Sequence, residues 1–358
     1  MSRKETVDAL RKKIDQVDAK IIELLNQRAT FVQKIGQTKG LRNEPIYVPS
    51  RERVVLEKVT GLNSGPFPEQ AIRSIYREIF SASRALEASI KVAYLGPKAT
   101  FTHMAALERF GSCADLVPAA SIGDVFQEVT QKRVDYGVVP IENSTEGVVT
   151  HTLDMLVEAD VKICAEVSFE IHLCLLSRSG NLDDIHKIVS HPQALAQCRR
   201  WLAGHCPNIR LDEIASTGQA AQMAAQNHGV AAIASSLAGD SYGLERVAKN
   251  IEDRPNNRTR FLVIGDHMSG RSGRDKTSVV FSVKDEVGVL HRMLASFAKN
   301  KINMTKIESR PLKDKPWEYL FFLDFNGHVE EPRIRRALKQ LERISIFVKI
   351  LGSYPFGV

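Results

Sequence analysis

The sequence predicts three modules in series: an all-helical segment over residues 1–90, an α/β segment over 91–268, and an α+β sandwich of ferredoxin-like type over 277–358. Three observations predict this. In the first forty residues apolar side chains recur every three or four positions, at Val7, Leu10, Ile14, Val17, Ile21, Leu24, Val32 and Ile35, the period of an amphipathic helix. From Lys91 short apolar runs alternate with helical stretches, the pattern of a sheet flanked by helices. From Thr277 the order is strand, helix, strand, strand, helix, strand, a split βαβ unit. A chain of 358 residues is too long for one ordinary core, so two or three domains are expected.

In the first segment a long helix is expected from about Glu5 to Lys39 and, after Pro45 and Pro49, a short one from Ser50 to Thr60. The run Gly61-Leu62-Asn63-Ser64-Gly65-Pro66 breaks the chain. A third helix then runs to about Ser89, with Ile72, Ile75, Ile79, Leu86 and Ile90 on its apolar side. A helix of about 35 residues cannot bury its stripe against two shorter ones alone, so a dimer that shares helices is expected.

In the second segment the strand candidates are Val92–Leu95, Gly137–Ile141, Ile171–Leu176, Ile188–Ser190, Val230–Ala234 and Phe261–Ile264, mostly parallel, with helices such as Gln193–Ala203 and Gly218–Asn227 between them. One doubly wound sheet or two lobes with a cleft both fit. In open α/β sheets ligands sit at the carboxyl ends of strands. Three polar clusters fall there: Gly96-Pro97, Glu142-Asn143-Ser144-Thr145, and Ser190-His191-Pro192-Gln193. His267 to Lys276, rich in Gly, Ser and Arg, reads as a linker. The third segment divides into Ser278–Val283, Leu290–Lys299, Ile302–Ser309, Glu318–Asn326, Glu331–Ile344 and Phe347–Tyr354.

Hydrophobic residues make up 43% and charged residues 25% of the chain, the values of a soluble globular protein. No run of ~18 apolar residues offers a membrane span, and the first five residues carry no apolar signal region. The five cysteines, Cys113, Cys164, Cys174, Cys198 and Cys206, are scattered and form no CxxC pair. That usage fits a reducing cytoplasm and argues against a disulfide framework or a zinc site. The net charge is +7, and residues 1–90 hold 16 Lys/Arg against 11 Asp/Glu. They lack a helix-turn-helix, aromatic platforms or a dense basic run, so small acidic substrates explain the charge better than nucleic acid.

Arg28 interrupts the apolar stripe of the first helix. Three and four residues away stand Leu24, Leu25, Phe31 and Val32, so no carboxylate neighbours it along the helix. An unpaired guanidinium in a core costs several kcal/mol, so such a residue points to an anionic ligand. Lys39, eleven residues on at ~100° per residue, falls within roughly 20° of the same face. Two cations therefore converge on one small anion. Arg11, seventeen residues back, lies roughly 25 Å away and is rotated by about 100°, so it would serve a second pocket, most simply one in a partner chain. Taken alone, Arg11 and Lys39 read as solvated surface charges; Arg28 does not.

Further segments stand in order behind this helix. They are Gly96-Pro97-Lys98-Ala99-Thr100-Phe101-Thr102, Pro140-Ile141-Glu142-Asn143-Ser144, Ser190-His191-Pro192-Gln193-Ala194-Leu195-Ala196-Gln197-Cys198, Asn257-Arg258-Thr259-Arg260-Phe261, Gly288-Val289-Leu290 and Glu308-Ser309-Arg310-Pro311. With Arg28, Lys39 and Glu52 they make the chain resemble, over nearly its whole length, the bifunctional chorismate mutase–prephenate dehydratases (P-proteins) with a C-terminal ACT regulatory domain. The resemblance implies an all-helical chorismate mutase domain, a two-lobed dehydratase domain like the periplasmic binding proteins, and a ferredoxin-like ACT domain. It implies an enzyme of phenylalanine biosynthesis that rearranges chorismate to prephenate, then decarboxylates and dehydrates prephenate to phenylpyruvate. It further implies feedback inhibition by L-phenylalanine at an interface between ACT domains, in a cytoplasmic homodimer or higher oligomer.

By this resemblance Arg28, and Arg11 from the other protomer, hold the two carboxylates of chorismate. Lys39 faces the ether oxygen, Glu52 accepts from the substrate hydroxyl, Arg51 lines the site, and Ser83 and Glu87, one turn apart on the third helix, complete it. Two positions depart from the family. Val48 stands where Asp is usual, which keeps a main-chain contact and loses helix capping. Glu87 stands where some relatives have Gln; near an ether oxygen it helps only when protonated, so mutase activity is expected to fall with rising pH and Glu87→Gln to flatten that fall. In the dehydratase the resemblance gives Thr259 the hydrogen bond to the leaving hydroxyl, with a helper the sequence does not identify. Asn143, Ser190 and Gln197 bind and orient prephenate, and Arg260 holds a carboxylate. His191, before a Pro, reads better as a turn cap than as a general base. Gly288, Leu290, Glu308, Ser309 and Arg310 are assigned to L-phenylalanine. Val289 stands where relatives commonly have Ala and adds bulk beside that site.

No cofactor is expected. No GxGxxG follows a strand near residue 91, which argues against a fused dehydrogenase, and no carboxylate–His cluster suggests a metal. Arogenate, which differs from prephenate by an amine, fits the same motifs. A non-catalytic ligand sensor built from the same modules is the other reading; it needs neither the Arg28/Lys39/Glu52 set nor Thr259.

Overall fold

The computed structural model describes residues 6–42, 44–284, 286–311 and 319–357. The expected helix start at Glu5 and strand start at Glu318 lie outside them. The chain opens with α1 (Val7–Arg42), α2 (Pro49–Gly61) and α3 (Glu69–Glu87). Pro49 begins α2 because its missing N–H is one the first turn leaves unpaired anyway. Val48 caps it without a side-chain hydrogen bond, as its apolar side chain dictates. The α1 stripe is not buried within the chain: Val7, Ile14, Ile21 and Leu24 are 64, 58, 48 and 62% exposed. Ile90, expected on the apolar side of α3, instead falls beyond the helix and packs into the first lobe of the next module. Tyr47, from the loop before α2, joins it there, fully buried against Phe110 and Tyr136.

The middle of the chain runs β1 (Lys91–Leu95), α4 (Phe101–Phe110), β2 (Asp115–Ala119), α5 (Ile122–Thr130), β3 (Tyr136–Asn143), β4 (Gly147–Val148), α6 (Thr150–Glu158) and β5 (Lys162–Glu170). It continues through β6 (Cys174–Ser177), β7 (Lys187–Ser190), α7 (Pro192–Gln197), α8 (Arg199–His205), β8 (Arg210–Glu213), α9 (Thr217–Gln226), β9 (Val230–Ala234), α10 (Ser236–Tyr242), β10 (Glu245–Ala248) and β11 (Arg258–Gly265). These form two sheets: β2-β1-β3-β11-β5 with β4 on β3, and β10-β6-β9-β7-β8. Two lobes, not one doubly wound sheet, are present.

The strands are also less parallel than the α/β pattern suggested. β1 runs parallel to β2 and β3, but β11 is antiparallel to both β3 and β5; in the second sheet β7 is parallel to β8 and β9, whereas β6 is antiparallel to β9 and β10. The chain leaves the first lobe after β5 and returns only at β11, so the returning strand enters from the opposite end.

The last module runs β12 (Asp275–Ser282), α11 (Val289–Lys299), β13 (Met304–Pro311), β14 (Tyr319–Asn326), α12 (Pro332–Ile344) and β15 (Phe347–Pro355). Its antiparallel sheet has the order β13-β14-β12-β15, the ferredoxin-like arrangement. Val279, Phe281, Leu323 and Phe325 face α11 and α12. The opposite face is covered too: Val280, Phe322, Leu351 and Tyr354 share a core with Leu153, Leu156 and Ile163 of the first lobe. All of β12 is therefore buried, as strands covered on both faces are. The segment 267–276 is not a free tether. Asp275 accepts from the Ser272 and Gly273 N–H groups, and the His328 ring meets the Ser269 carbonyl at 3.0 Å.

Candidate active sites

On the helical module α1 and α3 bring four of the expected residues together. Arg28 Nη1 donates to Ser83 Oγ at 2.5 Å, and its guanidinium lies 5.8 Å from the Phe80 ring centroid. One turn along α3, Glu87 accepts from Lys39 Nζ at 3.2 Å, while Lys39 also donates to the Ile46 carbonyl. Gly36 makes this approach possible: a Cβ there would stand 2.9 Å from Glu87 Cγ. Arg28 is thus half-buried, with hydroxyl and aromatic neighbours but no carboxylate partner among the described residues.

The other expected residues are placed differently. Glu52 is held by Arg84, a residue that no sequence pattern singled out. Arg51 is exposed. Arg11 is exposed, 3.5 Å from Asp8, far along α1 from Arg28. A hollow of about 460 Å³ is lined by Lys39 with Phe31, Lys34, Ile35, Thr38 and Glu44. A second cavity, of about 510 Å³, is lined by Glu52, Phe80 and Arg84 together with residues of the other modules.

Between the two lobes lies a cleft of about 780 Å³. The ends of β1, β3 and β7 open onto it, as the three polar clusters predicted. Asn143 Nδ2 donates to Thr259 Oγ1 and to Asn257 Oδ1, both at 2.8 Å, and Asn257 Nδ2 donates to Gln197 Oε1 at 3.0 Å. The orientation of the Asn143 amide is fixed, because its Oδ1 accepts the Thr145 and Glu146 N–H groups. Thr259, Asn143 and Gln197 line the cleft together. With one lone pair of Thr259 Oγ1 taken by Asn143, the hydroxyl proton is free to donate into the cleft. Asn257, whose motif the sequence displayed without a role, joins Asn143 to Gln197.

Two expected contributors face elsewhere. Ser190 is fully buried, and its hydroxyl donates to the Ile233 carbonyl at 2.6 Å. Arg260 follows Thr259 in β11, so it projects from the opposite face of the strand. There its Nε donates to Glu166 at 2.8 Å, Nη1 pairs with Asp324 at 2.8 Å, and Nη2 reaches Tyr354 Oη. Burial alone would lower the Arg260 pKa, but Tyr354, Asp324 and Glu166 outweigh it and raise it well above the ordinary value. Arg260 therefore joins modules and does not hold a carboxylate in the cleft. No lysine or arginine is among the described residues lining the cleft, whose titratable groups are Glu146 and His191. Anion-attracting groups come instead from the N-termini of α4 and α9, where Thr100 and Ser216 cap the helices. His191 caps α7, accepting from the Gln193 N–H at 3.3 Å. Leu95, Phe101, Ile171, Leu173 and Phe261 give the rest of the wall an apolar character.

In the last module Gly288 is the left-handed cap (φ +79°) that starts α11, and Leu290 is 41% exposed. β13 alternates: Ser309 is exposed, whereas Lys306, Glu308 and Arg310 share the half-buried face. Arg310 Nη1 donates to the Thr150 carbonyl and to Asp154 of α6, at 2.7 and 2.5 Å. Lys349 Nζ grips the other end of α6 through the carbonyls of Leu156, Val157 and Ala159. α6 follows directly on Gly147, Val148 and Val149 of the cleft wall.

Comparison with known proteins agrees with this architecture. A chorismate mutase type II family model matches residues 10–88, a prephenate dehydratase model residues 92–269, and an ACT domain model residues 277–343. The bifunctional chorismate mutase/prephenate dehydratase of Aquifex aeolicus is 51% identical over 355 residues, 98% of each chain. That of Pseudomonas aeruginosa is 43% identical, covering 100% of both chains. The crystal structure of the prephenate dehydratase of Arthrobacter aurescens in complex with L-Phe superposes with a TM-score of 0.69 at 35% identity, over 74% of this chain and 90% of that one.

Proposed function

Because the chain belongs to the family of bifunctional chorismate mutase/prephenate dehydratases, we propose that the α1–α3 groove carries the mutase step and the interlobe cleft the dehydratase step. The observation that carries the reading is the linked set Asn143, Thr259, Asn257 and Gln197 on the cleft wall.

In the mutase step no bond to protein forms. Arg28 and Ser83 hold one carboxylate of chorismate, Lys39 faces the ether oxygen as charge develops there, and Glu52 accepts from the ring hydroxyl. The second carboxylate is left to Arg11 of a second copy. The exposed stripe of α1 supports this, because a second α1 laid along it buries the apolar residues and brings Arg11 across. Such a homodimer is the smallest assembly with complete mutase sites.

In the dehydratase step Thr259 donates its hydroxyl hydrogen bond to the leaving hydroxide of prephenate. The Asn143 amide, donating to Oγ1, orients and strengthens that donor, and is the helper a weakly acidic threonine requires. The ring carboxylate departs as carbon dioxide and its electron pair completes the aromatic ring. Apolar walls leave that carboxylate poorly solvated, which favours its loss. Amide and hydroxyl donors with the α4 and α9 N-termini hold the pyruvyl carboxylate.

L-Phenylalanine is the proposed effector of the ACT module, at Gly288, Leu290, Glu308 and Ser309. Its route to the cleft is α6, held at one end by Arg310 and at the other by Lys349. The dispersed, unpaired thiols, four of them buried and Cys113 exposed, suit a reducing, cytoplasmic setting.

Two-substrate kinetics test the whole reading: loss of chorismate absorbance, then phenylpyruvate formation from prephenate, with and without L-phenylalanine. Arg28→Ala abolishes the first and spares the second; Thr259→Ala does the reverse. Equal loss of both activities in either variant defeats the division into two sites, and absence of both in the wild type leaves a ligand sensor.

A further inference from the structure

We infer that Arg84 is a positioning residue of the mutase reaction and that the dehydratase module holds it in place. The inference rests on the reading that Glu52 accepts from the chorismate hydroxyl. Arg84 lies on α3 next to Ser83 but points to a different side, about 100° around the helix. It is 5% exposed. Nη1 donates to Glu52 Oε1, and Nη2 donates to the Phe110 carbonyl at the end of α4, at 2.7 Å. Its guanidinium also lies 5.6 Å from the Tyr47 ring centroid and 5.9 Å from that of Phe110. Arg109, the residue before Phe110, donates to Tyr47 Oη and fixes the first of those rings.

The chemistry of the two ends differs. Arg84 engages one carboxylate oxygen of Glu52, which keeps the side chain in one rotamer and leaves Oε2 to accept from substrate. The other edge of the same planar fork is seated on backbone of the dehydratase module, and only a guanidinium bridges both. Gly111 makes the seat close: with φ +70°, it ends α4 where a Cβ would stand 2.5 Å from Ser81 Cβ. The dehydratase lobe therefore sets the direction of a mutase side chain, while the Arg28–Ser83 pair is independent of it.

A double-mutant cycle on the full chain tests this. Glu52→Gln and Arg84→Gln are each expected to lower mutase kcat/KM on the order of tenfold to a hundredfold, the cost of a misplaced group. The double variant falls no further than the lower single one, because Arg84 acts through Glu52. Prephenate dehydratase kcat/KM stays within about twofold throughout, as expected for a site that does not share the pair. Losses that multiply, or an Arg84→Gln mutase equal to wild type while Glu52→Gln is impaired, overturn the inference and leave the site assignment standing. A Glu52→Gln with wild-type mutase activity overturns both. If Arg84→Gln lowers both activities together, Arg84→Lys decides: intermediate mutase with intact dehydratase supports the inference, and a matched fall in both shows Arg84 to be structural.

Discussion

Lys39 and Glu87 hold each other at 3.2 Å, so the cation proposed to face the ether oxygen is shared with a carboxylate. A carboxylate beside an oxygen gaining negative charge raises the barrier; an amide donates to it instead. Glu87→Gln is therefore expected to raise mutase kcat/KM about tenfold, ~1.4 kcal/mol, and to flatten any decline of activity with rising pH. Chorismate consumption measured across the pH range checks it, and a lower activity in the variant would show that Glu87 is needed to steer Lys39. In the cleft the corresponding test is Asn143. Its amide touches Thr259 Oγ1, so Asn143→Ala removes the group that aims the threonine proton. Dehydratase kcat is expected to fall about a hundredfold, within the usual range for loss of acid assistance, with mutase activity unchanged. The resemblance put the members of each pair in one site, but neither contact was visible in the sequence. Thr259 and Asn143 are 116 residues apart, and Lys39 and Glu87 are 48 apart, so only the fold joins them.

Elements with one clean period were legible, and elements with a mixed environment were not. The α1 stripe, and the apolar runs of β1, β3, β7 and β9, announce themselves because one rule governs every position. β5 was missed because Glu166 and Ser168 break its run; Glu166 is buried nonetheless, paired to Lys276 at 2.8 Å. β2 was missed because it is an edge strand containing Pro118, which an edge tolerates. Arg260 was misread for a related reason: in a strand the neighbour of a cleft residue belongs to the other face. The lone Asp324 among Phe322, Leu323 and Phe325 was the available signal that this other face carries buried charge. At this scale α6 yields a prediction. Lys349 satisfies three carbonyls at its end, the last at 2.7 Å. Burial, and then repulsion from Lys162, lower its pKa. Lys349→Met keeps the apolar stem and deletes the donor. It is expected to cost about 1–3 kcal/mol of stability through unsatisfied carbonyls, and to weaken inhibition by L-phenylalanine without weakening its binding. Calorimetric titration beside dehydratase inhibition separates the two; inhibition at the wild-type effector concentration would remove α6 from the route.

The three modules are joined by charge as well as by apolar surface, and two consequences belong to the whole molecule. Burial alone would raise the Asp324 carboxyl, but Arg260, the Ser278 hydroxyl and Lys276 outweigh it and hold it below its ordinary 3.8. A carboxyl held low in the folded chain stabilises it above that value and gives the stability up as pH falls through the lowered one. Thermal unfolding is thus expected to drop steeply below about pH 4, and Asp324→Asn to start lower at neutral pH and decline less steeply in acid. An acid limb identical to wild type would show that other groups dominate it. The second consequence concerns assembly. Arg28 and Arg11 lie on one helix, roughly 25 Å apart, so a site using both takes them from different chains. Arg11→Ala and Arg28→Ala are then each inactive as mutases, yet their mixed dimer carries one doubly altered site and one intact site. With random exchange half the dimers are mixed and half the sites in each are whole, so about a quarter of wild-type mutase activity is expected on mixing. Recovery after unfolding and refolding the variants together supports a shared α1 pairing. If the mixture stays inactive while exchange is demonstrated with tagged chains, no site combines Arg28 of one chain with Arg11 of another, and the exposed stripe of α1 has a different partner.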